Sequence, residues 1–289
     1  MQTVATENDI IISGCKEFDL VHTFECGQCF RWNKCADGTY EGVHKNKVLK
    51  IGKDGDNVVL YNTTQDDYEN VWKSYFDLGR DYKKIQTTLS KNDVVLKNAI
   101  NEGYGIRILL QDAFETIISF IISANNNIPR IKLIIERLCA MYGDKIEAYG
   151  KVFYTFPSAK TLSTLGREEL APIRAGFRDK YIIDAATKVA CGEIDINKIY
   201  EMDYNAAKSE LLKIKGVGEK VANCILLFAF GKQSAFPVDV WIRRILEHYY
   251  FDDEKMGDID EFVKQRFGEL AGYAQQYLFY YARESKLAK

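Results

Sequence analysis

The sequence predicts an α+β fold, an N-terminal antiparallel β-sheet domain packed on an all-helical bundle. Three observations carry that prediction. Residues 9 to about 62 alternate apolar and polar positions between frequent turns, whereas from about residue 64 onward apolar residues recur three and four apart. No low-complexity stretch separates the two regions, so they are expected to pack against each other. The 289 residues are 47% hydrophobic and 13% aromatic, enough for a sizeable core and against disorder.

The sheet region reads "DIIISG", "CFRWNKCADGTYEGVHKN" and "KVLKIGKDGDNVVLYNTT". Asp-Gly in "ADGT" and "KDGDN" signals hairpins, because these residues tolerate the positive φ that tight turns need. β-branched and aromatic residues flank both. Helices are expected over "DAFETIISFIISA", "IKLIIERLCAMYG", "YIIDAATKVACG", "AAKSELLKI", "EKVANCILLFAF" and "DVWIRRILEHYY", with two more in "IDEFVKQRFGELAGYAQQYLFYYARESK". We place the sheet domain at residues 1–103 and the helical domain at 104–289.

The chain opens "MQTVATENDI", without a charged-then-apolar signal, and its longest apolar run, "VANCILLFAF", is too short to cross a bilayer. A soluble protein of a prokaryotic cytoplasm, with no membrane association, is expected. Seven cysteines (15, 26, 29, 35, 139, 191 and 224) without a signal point to reduced thiols. "CGQC" at 26–29 has no second pair at zinc spacing and does not open a helix after a strand, so it is weak support for metal or redox chemistry. Net charge is −2, but the charge is segregated. Acidic residues gather in "QDDYEN" and "FDDEKMGDIDE"; basic ones gather at Arg130, Lys132 and Arg137, at Arg174, Arg178 and Lys180, at Lys213, Lys215 and Lys220, and at Arg243 and Arg244. Any one cluster reads as a solvated helix face, yet together they allow a basic face toward phosphates.

The helical half contains a faint internal repeat. "ELAPIRAGFRDKYIIDA" (169–185) resembles "ELLKIKGVGEKVANCI" (210–225). The second copy has Gly216 and Gly218 where the first keeps only Gly176. Two glycines two apart turn the chain tightly and leave bare N–H groups at a helix start, a place for a phosphate oxygen. Helix, Gly-x-Gly, helix is a helix-hairpin-helix, expected over about 205–230, and it grips the DNA backbone without reading sequence.

Lys220 opens the second helix of that motif, where the partial positive charge of a helix start disfavours a cation. Either it is an indifferent surface charge or its amine is kept neutral for chemistry. Nineteen residues on, in "AFPVDVWIRRIL", Pro237 stops any helix and Asp239 stands at an N-cap position. Capping alone explains Asp239. The pairing suggests more: a helix start and burial both lower a lysine pKa, a neutral amine can form a Schiff base, and a carboxylate nearby stabilises positive charge developing on a sugar. Lys180, at the matching place in the first copy, lacks a following Pro-x-Asp and is assigned to phosphate or solvent.

"LLKIKGVGEKVANCILLFAFGKQSAFPVDVWI" resembles the helix-hairpin-helix and Gly/Pro–Asp loop (here 231–239) of the base-excision DNA glycosylases, and the lysine marks the bifunctional kind. "FECGQCFRWN" and "SFIISANNNIPRI" are similar to the 8-oxoguanine DNA glycosylase/AP lyase branch, and the resemblance spans nearly the whole chain. It implies removal of 8-oxoguanine from duplex DNA where the lesion faces cytosine, then strand cleavage, by a monomer without cofactor or metal. It implies Lys220 as nucleophile and Asp239 as stabiliser of the oxocarbenium-like transition state. Gly27 would accept from the N7–H of the flipped base. Gln275 would meet its Watson–Crick edge, Phe279 and Cys224 would cover its faces, and Phe228 would join the base-binding set. Asn125, Arg130 and Arg178 would hold the orphaned cytosine and Phe177 would wedge into the stack. Gly216, Gly218 and Val221 would grip the backbone. Trp241 stands where eukaryotic relatives carry a phosphate-binding histidine, and Phe177 replaces a tyrosine. A monofunctional alkyl-purine glycosylase, needing only Asp239, and a non-catalytic helix-hairpin-helix DNA-binding protein are the alternative readings.

Overall fold

The computed structural model describes residues 2–251 and 257–285. Within the acidic run 251–261, residues 252–256 lie outside the described residues, as does Lys286 at the end of the last expected helix. Six strands form one antiparallel sheet in the order β1-β2-β6-β5-β4-β3. They are β1 (Gln2–Ala5), β2 (Ile10–Ser13), β3 (Trp32–Lys34), β4 (Tyr40–His44), β5 (Lys47–Asp54) and β6 (Asn57–Tyr61). Both Asp-Gly signals are hairpin turns, with Gly38 at φ +83° and Gly55 at φ +57°. The edge strand β1 was not expected; all four of its residues are exposed, so it carries no hydrophobic pattern to read.

The longer helices are α1 (Tyr82–Ser90), α2 (Val94–Glu102), α3 (Ala113–Ser123), α4 (Ile128–Tyr142), α5 (Asp179–Ala190), α6 (Tyr204–Leu212), α7 (Glu219–Phe228), α8 (Val240–Tyr249), α9 (Ile259–Phe267) and α10 (Ala271–Glu284). Most start on a side-chain cap: Asp93, Asp112, Asn127, Asp203, Asp239 and Asp258 each accept from main-chain N–H groups of the first turn. Gly218, before α7, has no side chain to do this.

Two hydrophobic cores result. Ile10, Ile12, Leu49, Ile51 and Leu60 of the sheet pack on Phe18, Phe24, Trp32, Trp72 and Phe76. The helical core is larger and reaches back into the N-terminal region to take Cys26, Phe30, Tyr82, Leu96 and Ile100. Conversely Leu109 belongs to the sheet core. The expected division at 103/104 therefore parts the sequence without parting the cores.

A two-stranded hairpin, β7 (Lys145–Ala148) and β8 (Lys151–Tyr154), was absent from the sequence reading. It turns at Tyr149 and Gly150, both at positive φ. It fastens the helical region to the sheet. The Tyr149 hydroxyl donates to the Tyr61 carbonyl (2.8 Å) and accepts from Lys50 N (3.1 Å). Lys151 pairs with buried Glu41 at 2.7 Å. Below it Arg31 pairs with Glu115 at 3.3 Å and donates to the Tyr154 carbonyl.

Candidate active site

α6, a short turn and α7 form the expected hairpin. Gly216 lies at φ +88°, and a Cβ there would stand 2.6 Å from Tyr181 Cγ. Gly218 has an ordinary φ of −99° and open space where a Cβ would point. The two glycines thus do different things: the first lets the turn close on α5, and the second leaves the start of α7 uncovered. Val221 to Phe228 are all buried, so α7 is a core helix whose first turn alone meets solvent. The first copy of the repeat is built alike, with Gly176 at φ +65° and Lys180 second in its helix, as Lys220 is second in α7.

Lys220 and Asp239 line one cleft of about 340 Å³, counted to its open mouth, with Cys26, Gly27, Cys224 and Gln275. Lys220 is half-buried, and its Nζ lies 5.6 Å from the centroid of the Phe120 ring. Phe120 in turn stacks on Phe228, centroids 5.6 Å apart and planes 15° from parallel, giving the cleft an aromatic floor. Cys224 stands one turn along α7 from Lys220. Burial pushes its thiol up, while the charge and hydrogen bond of Lys220 pull it back. Asp239 caps α8, with Oδ1 accepting from Trp241 N (3.0 Å) and Ile242 N (2.9 Å). The expected cap is real, and it anchors the carboxylate in the cleft wall. Trp241 packs half-buried against the helical core, its main-chain N–H serving this cap.

Gly27 sits at φ +87°, and a Cβ on it would meet Ile128 Cδ1 at 3.5 Å and Phe279 Cε1 at 3.6 Å. Gln28, wholly buried, pins this loop. Its Nε2 donates to the carbonyls of Thr23 (2.9 Å) and Arg107 (2.7 Å), and its Oε1 accepts from Leu109 N (2.9 Å). Among the described residues the Gly27 carbonyl accepts no hydrogen bond. The sulfurs of "CGQC" are buried thiols; burial pushes Cys26 up to about 11 and Cys29 well above its ordinary value. Opposite, α10 presents Gln275, Gln276 and Phe279 to the cleft. Gln275 Oε1 and Gln276 Nε2 are buried without hydrogen-bond partners.

The remaining expected residues lie apart from the cleft, in the loop and first turn of α4 and in the turn that leads into α5. The three asparagines of "SANNNIPR" divide the work. Asn125 takes φ +50°, Asn126 Nδ2 donates to the Ile122 carbonyl (3.0 Å), and Asn127 caps α4 through Arg130 N (3.0 Å). Arg178 is 3% exposed and holds this loop. Its Nε donates to the Ala124 carbonyl (2.9 Å), Nη2 to the Asn125 carbonyl (2.8 Å) and Nη1 to the Ala175 carbonyl (3.1 Å). Burial and the neighbouring Arg130 both lower its pKa. Arg130 and Asn125 are exposed, and Phe177 is 52% exposed with Arg178 over its ring at 4.5 Å.

Sequence reasoning missed Phe120, Gln28 and Gln276. Phe120 hides in the uniformly apolar "TIISFIIS", whereas Gln28 and Gln276 are polar residues buried where hydropathy expects none.

A helix-hairpin-helix with an uncapped second helix, a lysine and a carboxylate in one cleft, and a six-stranded N-terminal sheet define the class of DNA base-excision glycosylases. Residues 118–270 match the HhH-GPD superfamily of base excision DNA repair proteins, and residues 10–117 match the 8-oxoguanine DNA glycosylase N-terminal domain. The chain belongs to the HhH-GPD superfamily. It is 37% identical to a probable N-glycosylase/DNA lyase of Methanothermobacter thermautotrophicus, over 73% of this chain and 74% of that one. It is 29% identical to the N-glycosylase/DNA lyase OGG1 of Arabidopsis thaliana, over 91% and 77% respectively. The Clostridium acetobutylicum 8-oxoguanine glycosylase/lyase, solved with double-stranded DNA containing cytosine opposite 8-oxoG, superimposes with a TM-score of 0.95, at 41% identity and 99% of each chain. MBOgg1, solved with a low-affinity DNA ligand, gives the same TM-score at 47% identity, again over 99% of each chain.

Proposed function

We propose that this protein is a bifunctional DNA glycosylase/AP lyase that flips 8-oxoguanine out of duplex DNA, removes it, and then cleaves the abasic strand. The observation that carries the chemistry is the shared cleft of Lys220 and Asp239 behind the hairpin, together with the relatives' activity. The reactive sugar carbon is unreachable in a stacked duplex, so the nucleotide must leave the helix. The uncapped start of α7, with Gly216, Gly218 and Val221, takes a backbone phosphate. Phe177, exposed on the neighbouring loop, enters the vacated stack, and Asn125, Arg130 and Arg178 face the orphaned cytosine.

Within the cleft the base lies between Phe279 on one side and Cys224 on the other, with Phe228 beneath, and the bare Gly27 carbonyl takes the N7–H that unoxidised guanine lacks. Lys220, having given up a proton, bonds through Nζ to C1′ as the C1′–N9 bond breaks. The electron pair leaves with the base, which takes up a proton. Asp239, held rigid by its cap, stabilises the positive charge that builds on the sugar. The Lys220 nitrogen sheds a proton. The ring oxygen takes the electron pair of its bond to C1′ and a proton as that bond breaks, and an iminium is left between Lys220 and the sugar. Removal of a C2′ proton then expels the 3′ phosphate, and water releases the lysine.

Borohydride trapping tests this reading, using a duplex with 8-oxoguanine opposite cytosine. Wild type is expected to give a covalent protein–DNA adduct and Lys220→Gln none, with the variant still folded. Free base released without any adduct would transfer the chemistry to Asp239 alone and make the enzyme monofunctional. DNA binding with neither product would favour the non-catalytic reading.

A further inference from the structure

Gln276 follows Gln275 on α10 and lines the same cleft. It is 3% exposed, and its Nε2 is buried with no hydrogen-bond partner. A buried amide donor left unpaired is costly, so its place in the wall of a ligand cleft asks for an acceptor that arrives with the ligand. Gln275 Oε1 is bare in the same way. Two consecutive residues lining the cleft thus each hold an unsatisfied amide atom, an acceptor on Gln275 and a donor on Gln276.

We infer that Gln276 is a specificity-determining residue that reads the carbonyl at C6 of the flipped base, Nε2 donating to O6. The inference rests on the glycosylase reading above, with Gly27 at N7–H and Gln275 at the Watson–Crick edge. On a purine ring O6 lies between N7 and N1. A base held at those two edges therefore brings O6 into the arc between Gly27 and Gln275. Gln276 Nε2 is the buried side-chain donor without a partner in this cleft among the described residues. An oxidised guanine presents an acceptor there. An oxidised adenine presents an amino group, so two donors would face each other and both would stay unpaired. A site built to hydrogen-bond a substrate rejects the analogue that leaves its polar groups unmatched.

The test uses Gln276→Met, which keeps the length and removes the donor, and Gln276→Glu, which puts an acceptor in its place. Single-turnover excision is measured on duplexes carrying 8-oxoguanine or 8-oxoadenine opposite cytosine, and strand cleavage on a preformed abasic site. Excision of 8-oxoguanine should slow roughly tenfold in Gln276→Met and further in Gln276→Glu, in keeping with loss of one buried hydrogen bond. Excision of 8-oxoadenine should hold or rise in Gln276→Met, and abasic cleavage should be unchanged because no base is present. Wild-type rates on 8-oxoguanine in Gln276→Met would overturn the inference. An equal loss on all three substrates would also overturn it, because it would mark a disturbed fold. A wild-type protein that leaves 8-oxoguanine in place would bring down the glycosylase reading, and this inference with it.

Discussion

Alanine at Gly216 and alanine at Gly218 separate what the hairpin needs to fold from what it needs to hold DNA. At Gly216 the backbone has φ +88°, a left-handed conformation that costs an L-residue about 1–2 kcal/mol. The new Cβ would also lie 2.6 Å from Tyr181 Cγ and 2.9 Å from its Cβ and Cδ2, the root of the side chain rather than its movable end. Overpacking of that kind costs about 1–3 kcal/mol. Gly216→Ala should therefore lose about 2–5 kcal/mol in urea unfolding, a large part of the stability a typical domain has. At Gly218 φ is −99° and nothing lies within 4 Å of a Cβ, so Gly218→Ala should stay within about 0.5 kcal/mol of wild type. The added methyl would instead stand beside the bare N–H groups of α7, and duplex affinity at fixed salt should fall about tenfold, or about 1.4 kcal/mol. Adding Tyr181→Ala to Gly216→Ala should recover only part of the steric loss, because the Cβ at 2.9 Å remains, and should leave the backbone part. A Gly216→Ala protein as stable as wild type would refute the strain argument. A Gly218→Ala protein with unchanged DNA affinity would refute the phosphate assignment.

Arg130→Ala, at an exposed position, should leave unfolding free energy within about 0.5 kcal/mol and reduce the preference for cytosine opposite the lesion. Arg178→Ala should also destabilise by at least about 2 kcal/mol, because it strands the carbonyls of Ala124, Asn125 and Ala175. Excision rates against each opposite base, beside urea curves, check both, and unaltered discrimination in Arg130→Ala refutes its cytosine contact. Burial pushes the Glu115 carboxyl from 4.5 up to about 7, against the pull of Arg31. Between those values the folded protein binds more protons than the unfolded chain, so this group's contribution makes stability fall as pH rises through the window. The difference in unfolding free energy between wild type and Glu115→Gln should accordingly shift between about pH 4.5 and pH 7; a flat difference refutes it.

Periodicity and turn chemistry made much of this molecule legible. The Asp-Gly pairs marked two hairpins because glycine alone relieves the turn, and the spacing of apolar residues marked the long helices because each buries one stripe. The hairpin at Tyr149 stayed hidden since a tyrosine at positive φ is a choice of tertiary contact, here the bonds to Tyr61 and Lys50, and no local rule announces it. Lys220 and Asp239 were readable because each breaks or satisfies a rule at a helix start. Arg178 shows the opposite case. Its charge read only as part of a basic cluster, and no local pattern announced that most of its N–H groups go to main-chain carbonyls. Gln28 and Gln276 were silent because hydropathy averages over neighbours and gives no weight to one buried amide.

Gly27 and Phe279 line one cleft from far apart in the sequence, and Arg283 Nη1 ties the same regions by donating to the Glu25 carbonyl at 2.9 Å. On the ribosome these partners emerge tens of seconds apart at usual elongation rates. Late in that interval the lysine and the carboxylate exist, but the wall that carries Gln275 and Phe279 does not. A nascent chain can therefore build the sheet core and still own no base pocket. Excision competence therefore waits on α10, and a product that stops before it has no wall against which to hold a flipped base.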